Sequence, residues 1–284
     1  MNCAHHKKGD FTCYTKDQLV KIGESLNKKE NAKIKLNKTK NEIWEQIRQH
    51  LFNECTYEWC WLDNKTIKQM GDKEMQDMTF KPPMPEEWVS NRFTWLTTTD
   101  INKVMKQYEK VYPQFRFFGP VPVDCPKDIY CELTNVDLGK LEKKGVKHLG
   151  VIFNLDRHYE SGSHWVGLFC NNDKKIITYY DSVGQQPPAY IKYFMEMLKR
   201  QMGDKTKLEY NTRKHQYGGS ECGVYSMNFI IESLKGKTLK DFENKKIKDF
   251  SVNVLRNYFY RPPKKTGDRN IIKVSGGKKK KSVK

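Results

Sequence analysis

The stretch Gln216-Tyr217-Gly218-Gly219-Ser220-Glu221-Cys222-Gly223-Val224-Tyr225 constrains this chain more than any other. Glycine and polar residues give way there to an apolar run, Val224, Met227, Phe229, Ile230 and Ile231. That change predicts a loop turning into a buried helix with Cys222 in its first turn. The free N–H groups of a helix N-terminus favour a nearby anion, and thiolate is the nucleophilic form of cysteine. Upstream lie Ser163-His164-Trp165 and Tyr179-Tyr180-Asp181-Ser182. A cysteine nucleophile needs a base for its proton and a group that orients the base. Histidine, carboxylate and cysteine occur here in that order.

Three short apolar runs precede the cysteine: His148 to Asn154, His164 to Phe169, and Ile176 to Tyr180. They are rich in β-branched and aromatic residues, and Asn171-Asn172-Asp173 between the last two is turn chemistry. They predict three neighbouring strands, the last two a hairpin. Tyr190 to Met202 carries Ile191, Phe194, Met195 and Leu198 at helical spacing, and Leu208 to Thr212 reads as a further strand. The expected fold class is α+β, a central mixed sheet packed against the helix that carries Cys222.

Within that frame each candidate has a role. His164 opens a strand, so its ring projects from a rigid element, and Trp165 beside it shields the site. Asp181 closes the next strand across the hairpin, where it can accept a hydrogen bond from one imidazole nitrogen and fix the tautomer. Gln216 lies six residues before Cys222, close enough for its amide to donate to a developing oxyanion, with the Cys222 backbone N–H as a second donor. His148, His158 and His215 compete as the base. His158 falls in a polar loop and His215 is near Cys222 in sequence alone, so both rank below His164.

The rest of the chain divides by composition. Residues 1–62 read as a small helical module. Thr15-Lys16-Asp17-Gln18 fits a capping box before Leu19, Ile22 and Leu26, and a second helix starting near Thr39 carries Ile43, Ile47 and Leu51 on one face. Residues 63–85 are polar and end in Lys81-Pro82-Pro83-Met84-Pro85, which reads as a spacer. Residues 86–262 hold all the candidate site residues. Residues 263–284 form a basic tail in which Gly276-Gly277 precedes four lysines. The 284 residues include 52 basic and 34 acidic ones, a formal net charge of +18. Such a field attracts nucleic acid without regard to sequence. No apolar run approaches the ~20 residues of a membrane span, and Met1 to Phe11 lacks the apolar core of a secretory signal. The eight scattered cysteines read as free thiols in a reducing compartment. Cys3, His5, His6 and Cys13, or Cys55 and Cys60, lack the paired spacing of a zinc site, so no metal is expected.

The helix, basic connector and helix of residues 1–62 resemble the SAP-type nucleic-acid-binding module. Over residues 88–260 the chain resembles the ubiquitin-like-protein-specific proteases and adenain. Within that superfamily it is most similar to the maturation proteases of nucleocytoplasmic large DNA viruses. The likeness rests on Gly162-Ser163-His164-Trp165-Val166, on Tyr180-Asp181-Ser182-Val183-Gly184 running into Pro187-Pro188, on Gln216, and on Glu221-Cys222-Gly223-Val224-Tyr225-Ser226. It implies a His164–Asp181–Cys222 triad with Gln216 as oxyanion donor. Trp165 and Trp95 are the implied substrate-channel residues, although Thr97-Thr98-Thr99-Asp100 after Trp95-Leu96 departs from the desumoylating branch. The implied reaction is peptide-bond cleavage after Gly-Gly-type sites in viral structural polyproteins during virion maturation, in the host cytoplasm and the virion. No cofactor is required, DNA is a candidate activator or track, and neither partner nor substrate is a membrane. The competing readings are a deubiquitinase-like or desumoylating isopeptidase, and a basic nucleic-acid-binding virion protein with an inactive protease fold.

Overall fold

The computed structural model describes residues 2–91 and 93–262. The tail expected over 263–284, with Gly276-Gly277, lies outside the described residues. The described chain forms two units, residues 14–76 and residues 2–13 together with 77–262.

In the smaller unit, α1 (Lys16–Glu30) starts at Thr15, whose side chain accepts from the Gln18 N–H while the Gln18 side chain reaches back to the Thr15 N–H. Two otherwise orphaned donors are thereby satisfied. α2 (Lys40–His50) repeats the device with Thr39 and Glu42. Leu19, Ile22 and Leu26 of α1 and Ile43 and Ile47 of α2 are fully buried. The unit does not stop at residue 62. Asn64 caps α3 (Lys65–Lys68), α4 follows (Lys73–Met78), and Ile67 and Met75 are buried. The expectation of a spacer from residue 63 is corrected accordingly: polar composition there conceals two apolar anchors at helical positions.

The second correction concerns residues 77–85 and the N-terminus. Lys81 N–H donates to Asn2 O at 2.8 Å, Met84 N–H to Arg261 O at 2.9 Å, and Arg261 N–H to Pro82 O at 2.9 Å. Proline lacks a donor but keeps its carbonyl, so a proline-rich segment can still be strapped down through its acceptors. His5 stacks on Tyr108 with ring centroids 4.8 Å apart. Residues 2–13 therefore belong with the larger unit and not with a 1–62 module.

The larger unit runs α5 (Thr98–Val111), β1 (Phe115–Pro122), α6 (Leu138–Lys143), β2 (His148–Asn154), β3 (Trp165–Asn171), β4 (Ile176–Tyr180), α7 (Ala189–Met202), β5 (Lys207–Tyr210), α8 (Cys222–Leu234), α9 (Leu239–Asn244) and α10 (Asp249–Phe259). The five strands lie in sequence order. β1 pairs parallel to β2, β2 to β4 are antiparallel, and β5 is parallel to β4, so the sheet is mixed. Side-chain alternation splits it into two apolar faces. Phe115, Phe117, Ile152, Phe169 and Tyr180 face α5, α8 and α10. Leu149, Val151, Phe153, Leu168, Ile177 and Tyr179 face α7. Every residue from Cys222 to Ile231 in α8 is buried, as expected of a helix apolar on all sides. The helix presses so close that a Cβ at Gly167 of β3 would lie 3.0 Å from Phe229.

The cysteines also differ from expectation. Six are paired, as Cys3–Cys13, Cys55–Cys60 and Cys125–Cys131. Each pair is local in sequence, and chain reversal brings the Cα atoms to 5.1, 6.0 and 5.8 Å, within the range a disulfide needs. Cys170 and Cys222 remain free. Among the described residues no group of three or more His, Cys, Asp or Glu side chains is set to hold a metal ion.

Candidate active site

Three element ends converge in the larger unit. His164 immediately precedes β3, Asp181 immediately follows β4, and Cys222 is the first residue of α8. Because β3 and β4 pair antiparallel with Gly167 opposite Tyr180, the start of one strand lies beside the end of the other. His164 Nε2 is 2.7 Å from Asp181 Oδ1. This leaves Nδ1 as the ring nitrogen for a second partner, and Cys222 interacts electrostatically with the same imidazole. The serine of α8 one turn further on, Ser226, donates to the Trp165 carbonyl at 3.1 Å and so ties the helix to β3 just past the histidine.

The electrostatics single out one histidine. Burial pushes the His164 imidazole toward the neutral form, but its hydrogen bond to Asp181 and the interaction with Cys222 outweigh this and raise its pKa to about 9. Burial instead drives His5 down to about 4 and lowers His148 and His215. His215 is fully buried, with Nδ1 accepting from Ile247 N–H at 3.1 Å. His158 pairs with buried Asp124 at 2.7 Å. Of the two free thiols, Cys170 is pushed up to about 12, chiefly by burial, so at neutral pH it stays a protonated core residue.

Asp181 is fully buried and held from several directions. Its Oδ1 accepts from the Val183 N–H at 2.9 Å and its Oδ2 from the Gln185 N–H at 3.2 Å. Its backbone is clasped by Asn211, whose Oδ1 accepts from Asp181 N–H at 2.8 Å and whose Nδ2 donates to Asp181 O at 2.7 Å. Such support fixes the carboxylate in the plane it must present to the imidazole. Asn211 was not anticipated. Its signal is faint, a lone amide at the end of a short strand.

Gln216 is buried, and its side-chain orientation follows from its partners. Ser182 Oγ donates to Gln216 Oε1 at 2.7 Å, and Gln216 Nε2 donates to Gly218 O at 2.8 Å. Flipping the amide would set carbonyl against carbonyl. One N–H of Nε2 is used, and the other remains for an incoming oxygen. The Cys222 N–H has no intrahelical partner at the first helical position. Each therefore keeps one N–H that the fold does not spend.

Trp165 and Trp95 both line a cleft of ≈ 570 Å³ with Leu96 and Gly162. Trp165 is buried and its Nε1 donates to Leu96 O at 3.0 Å, whereas Trp95 is 41 % exposed. The glycine after the cysteine has a steric reason. A Cβ on Gly223 would lie 3.1 Å from Leu96 Cδ1 and 3.3 Å from Trp165 Cδ1. A further buried group was missed at the sequence level. Arg256 of α10 donates to Ser220 O at 2.9 Å and to Thr94 O at 3.1 Å, and buried Glu221 accepts from Asn253 at 3.0 Å. These partners lie far apart in sequence and leave no local pattern.

Comparison with known proteins gives a consistent result. Residues 93–271 match the Ulp1 protease family, C-terminal catalytic domain. A protein of Acanthamoeba polyphaga mimivirus, provisionally described as a thiol protease, is 32% identical over 276 residues, covering 90% of this chain and 91% of that protein. A cysteine protease of African swine fever virus is 25% identical over 287 residues, covering 91% of this chain and 94% of its own. The crystal structure of the selenomethionine form of an African swine fever virus protease superposes with a TM-score of 0.68 at 22% identity, covering 92% of this chain and 95% of the other.

Proposed function

The chain belongs to the Ulp1 protease family, and from that premise we propose that it is a viral cysteine endopeptidase that cleaves after Gly-Gly-type sites in structural polyproteins during virion maturation. The observation that carries the reading is the convergence of Cys222, His164 and Asp181, with His164 Nε2 at 2.7 Å from Asp181 Oδ1. In the mechanism, His164 holds the proton of Cys222, and the thiolate attacks the scissile carbonyl. The oxyanion of the tetrahedral intermediate receives N–H donors from Gln216 and from the Cys222 backbone. The intermediate collapses as His164 gives its proton to the leaving amine, and water then hydrolyses the acyl-enzyme. Asp181 keeps the imidazole in one tautomer and steadies its cation.

The cleft that Trp165 and Trp95 line is the proposed substrate channel behind the glycine preference. Trp165 is pinned to the Leu96 carbonyl, and residues without side chains pass such a constriction where larger ones clash. The relatives are proteases of large DNA viruses, which supports a viral enzyme, and the proposed place of action is the assembling particle in the host cytoplasm. The net charge of +18 supports DNA as an activator or track, binding without sequence preference.

The test is hydrolysis of a fluorogenic peptide ending in Gly-Gly, wild type against Cys222→Ala, with and without DNA. Activity lost in the variant supports the proposal, and equal cleavage by both overturns it. A rate response to DNA that weakens with salt supports the track, and none removes it. Far faster turnover of a full-length ubiquitin-like modifier fused through Gly-Gly than of the peptide redirects the reading to an isopeptidase.

A further inference from the structure

α10 has no part in the triad, yet one of its faces grips the loop between Gln216 and Cys222. Asp249, Asn253 and Arg256 stand at i, i+4 and i+7, which places them on one side of a helix. Asp249 Oδ2 accepts from the Tyr217 N–H at 2.9 Å and from the Gly218 N–H at 2.8 Å. Its Oδ1 accepts from the Tyr225 hydroxyl at 2.9 Å. Asn253 Nδ2 donates to Glu221 Oε1 at 3.0 Å and Arg256 Nη2 to Ser220 O at 2.9 Å. Every one of these bonds ends on the loop or on the first turn of α8.

The Asp249 contacts differ in consequence from the other two. The carbonyl of Gly218 is the acceptor that holds Gln216 Nε2, at 2.8 Å. Asp249 fixes the N–H groups of the Gln216–Tyr217 and Tyr217–Gly218 peptides, and the acceptor carbonyl belongs to the next peptide, Gly218–Gly219, joined to them through the Gly218 Cα. Rotation of this peptide segment would carry the acceptor away and leave the Gln216 amide steadied only by Ser182. Charge-assisted hydrogen bonds from two adjacent N–H groups to one carboxylate oxygen are among the stronger constraints a loop can have. Tyr225, from the first turn of α8, anchors the carboxylate's other oxygen and reports the position of the nucleophile's own helix to the loop.

We propose that Asp249 is a positioning residue for the oxyanion site: it clamps the Tyr217–Gly218 backbone and thereby sets the Gln216 side-chain amide relative to Cys222. This rests on the proposed role of Gln216 and adds to it the part that makes that role possible. Asp249 touches neither the triad nor substrate, so its loss leaves the thiol–imidazole pair intact and weakens only the stabilisation of the intermediate.

The experiment compares wild type, Asp249→Ala, Asp249→Asn, Gln216→Ala and the Asp249→Ala/Gln216→Ala double variant. It measures kcat and KM on the Gly-Gly peptide and the pH profile of Cys222 alkylation by iodoacetamide. Asp249→Ala is expected to lower kcat by about 10- to 100-fold, up to the lower bound for losing one oxyanion donor outright. KM is expected to stay within about threefold, as for a loss felt in the transition state alone, with the alkylation profile unchanged. Asp249→Asn recovers part of kcat, because its amide oxygen still accepts from the backbone. In the Gln216→Ala background, Asp249→Ala is expected to cost less than about a further twofold, since the two act through one amide. Equal losses in both backgrounds, no loss in either, or alkylation slowing in step with kcat overturn the proposal. If Asp249→Ala fails to fold, Asp249→Asn alone and with Gln216→Ala makes the same comparison, read the same way. Full activity in Gln216→Ala instead removes the oxyanion reading and the clamp with it, and cleavage by Cys222→Ala removes the protease mechanism itself.

Discussion

Ser182 Oγ donates to Gln216 Oε1 at 2.7 Å, joining the residue after Asp181 to the side chain proposed as the oxyanion donor. The Ser182 carbonyl also accepts from the His215 and Gln216 N–H groups, both at 2.8 Å. One residue thus carries the end of β4 to the loop before α8. Ser182→Ala removes the side-chain bond and leaves the backbone ones. A neutral hydrogen bond is worth about 0.5–1.5 kcal/mol net, so kcat is expected to fall by roughly 3- to 10-fold. Steady-state kinetics on the Gly-Gly peptide check this, and a change confined to KM would contradict it.

The raised pKa of His164, about 9, sets an alkaline limit. In the proposed mechanism the protonated imidazole serves as acid to the leaving amine, so kcat/KM is expected to decline as pH rises through about 9. Asp181→Asn removes the hydrogen-bonded charge that opposes burial, which moves this limb to lower pH and lowers the plateau by about 100-fold. Stability follows the same linkage. The folded pKa lies above the unfolded value of about 6.5, so the contribution is complete below about 6.5 and is lost as pH rises through about 9. The Tm gap between wild type and Asp181→Asn is therefore expected to be widest near pH 6 and to shrink toward pH 9. A gap that widens with pH contradicts the assignment.

Much of this architecture could be read from local pattern. Thr15 and Thr39 announce their helices because a capping box is a four-residue signal. β2, β3 and β4 stand out because both faces of a central strand are apolar. His164, Asp181 and Cys222 each sit at an element end that is marked by a change between polar or glycine-rich residues and an apolar run. β1 (Phe115–Pro122) did not stand out. Gly119, Pro120 and Pro122 interrupt its pattern, and its register shifts between Phe117 and Pro120. α5 carries a capping box at Thr97 and Asp100, in a stretch that drew notice only for its departure from the desumoylating branch. Asn211, Asp249 and Arg256 left no trace, because each is defined by a distant partner. The spacer expected at 63–85 fails for two reasons: polar composition hides the buried Ile67 and Met75, and the prolines say nothing of the Lys81 and Met84 donors or the Pro82 acceptor that hold the segment.

Arg256 is a buried cation beneath the site, 3% exposed, and lies 4.3 Å from the Trp88 ring centroid. Burial lowers its pKa, while Glu221, Tyr260 and Cys222 act against that. Asn253 stands between Arg256 and Glu221, and losing the guanidinium leaves the Ser220 and Thr94 carbonyls without its donors, at about 1–3 kcal/mol for each buried group left unsatisfied. Arg256→Ala is thus expected to lower Tm by roughly 10 °C. Adding Glu221→Gln to Arg256→Met is expected to restore part of the loss, since neither charge then remains. Differential scanning calorimetry decides this, and a double variant less stable than Arg256→Met alone contradicts the charge coupling.

Gly223 tests how closely the nucleophile's helix is set against the cleft. A methyl there would stand 3.1 Å from Leu96 Cδ1, 3.2 Å from Leu96 Cβ and 3.3 Å from Trp165 Cδ1. Overpacking of this kind costs about 1–3 kcal/mol. Trp165 cannot retreat freely, because its Nε1 is held by the Leu96 carbonyl at 3.0 Å. Relief must come from breaking that bond or from shifting the start of α8, and either one moves Trp165 relative to Cys222. Gly223→Ala is therefore expected to raise KM and lower kcat together, with a change in tryptophan fluorescence, while the protein stays folded. Leu96→Ala added to it removes the 3.1 Å contact but keeps the Cβ at 3.2 Å and the indole at 3.3 Å, so rescue is expected to be partial. Complete rescue would place the whole clash on the end of the leucine side chain, and an unaffected Gly223→Ala enzyme would mean that the cleft yields without cost.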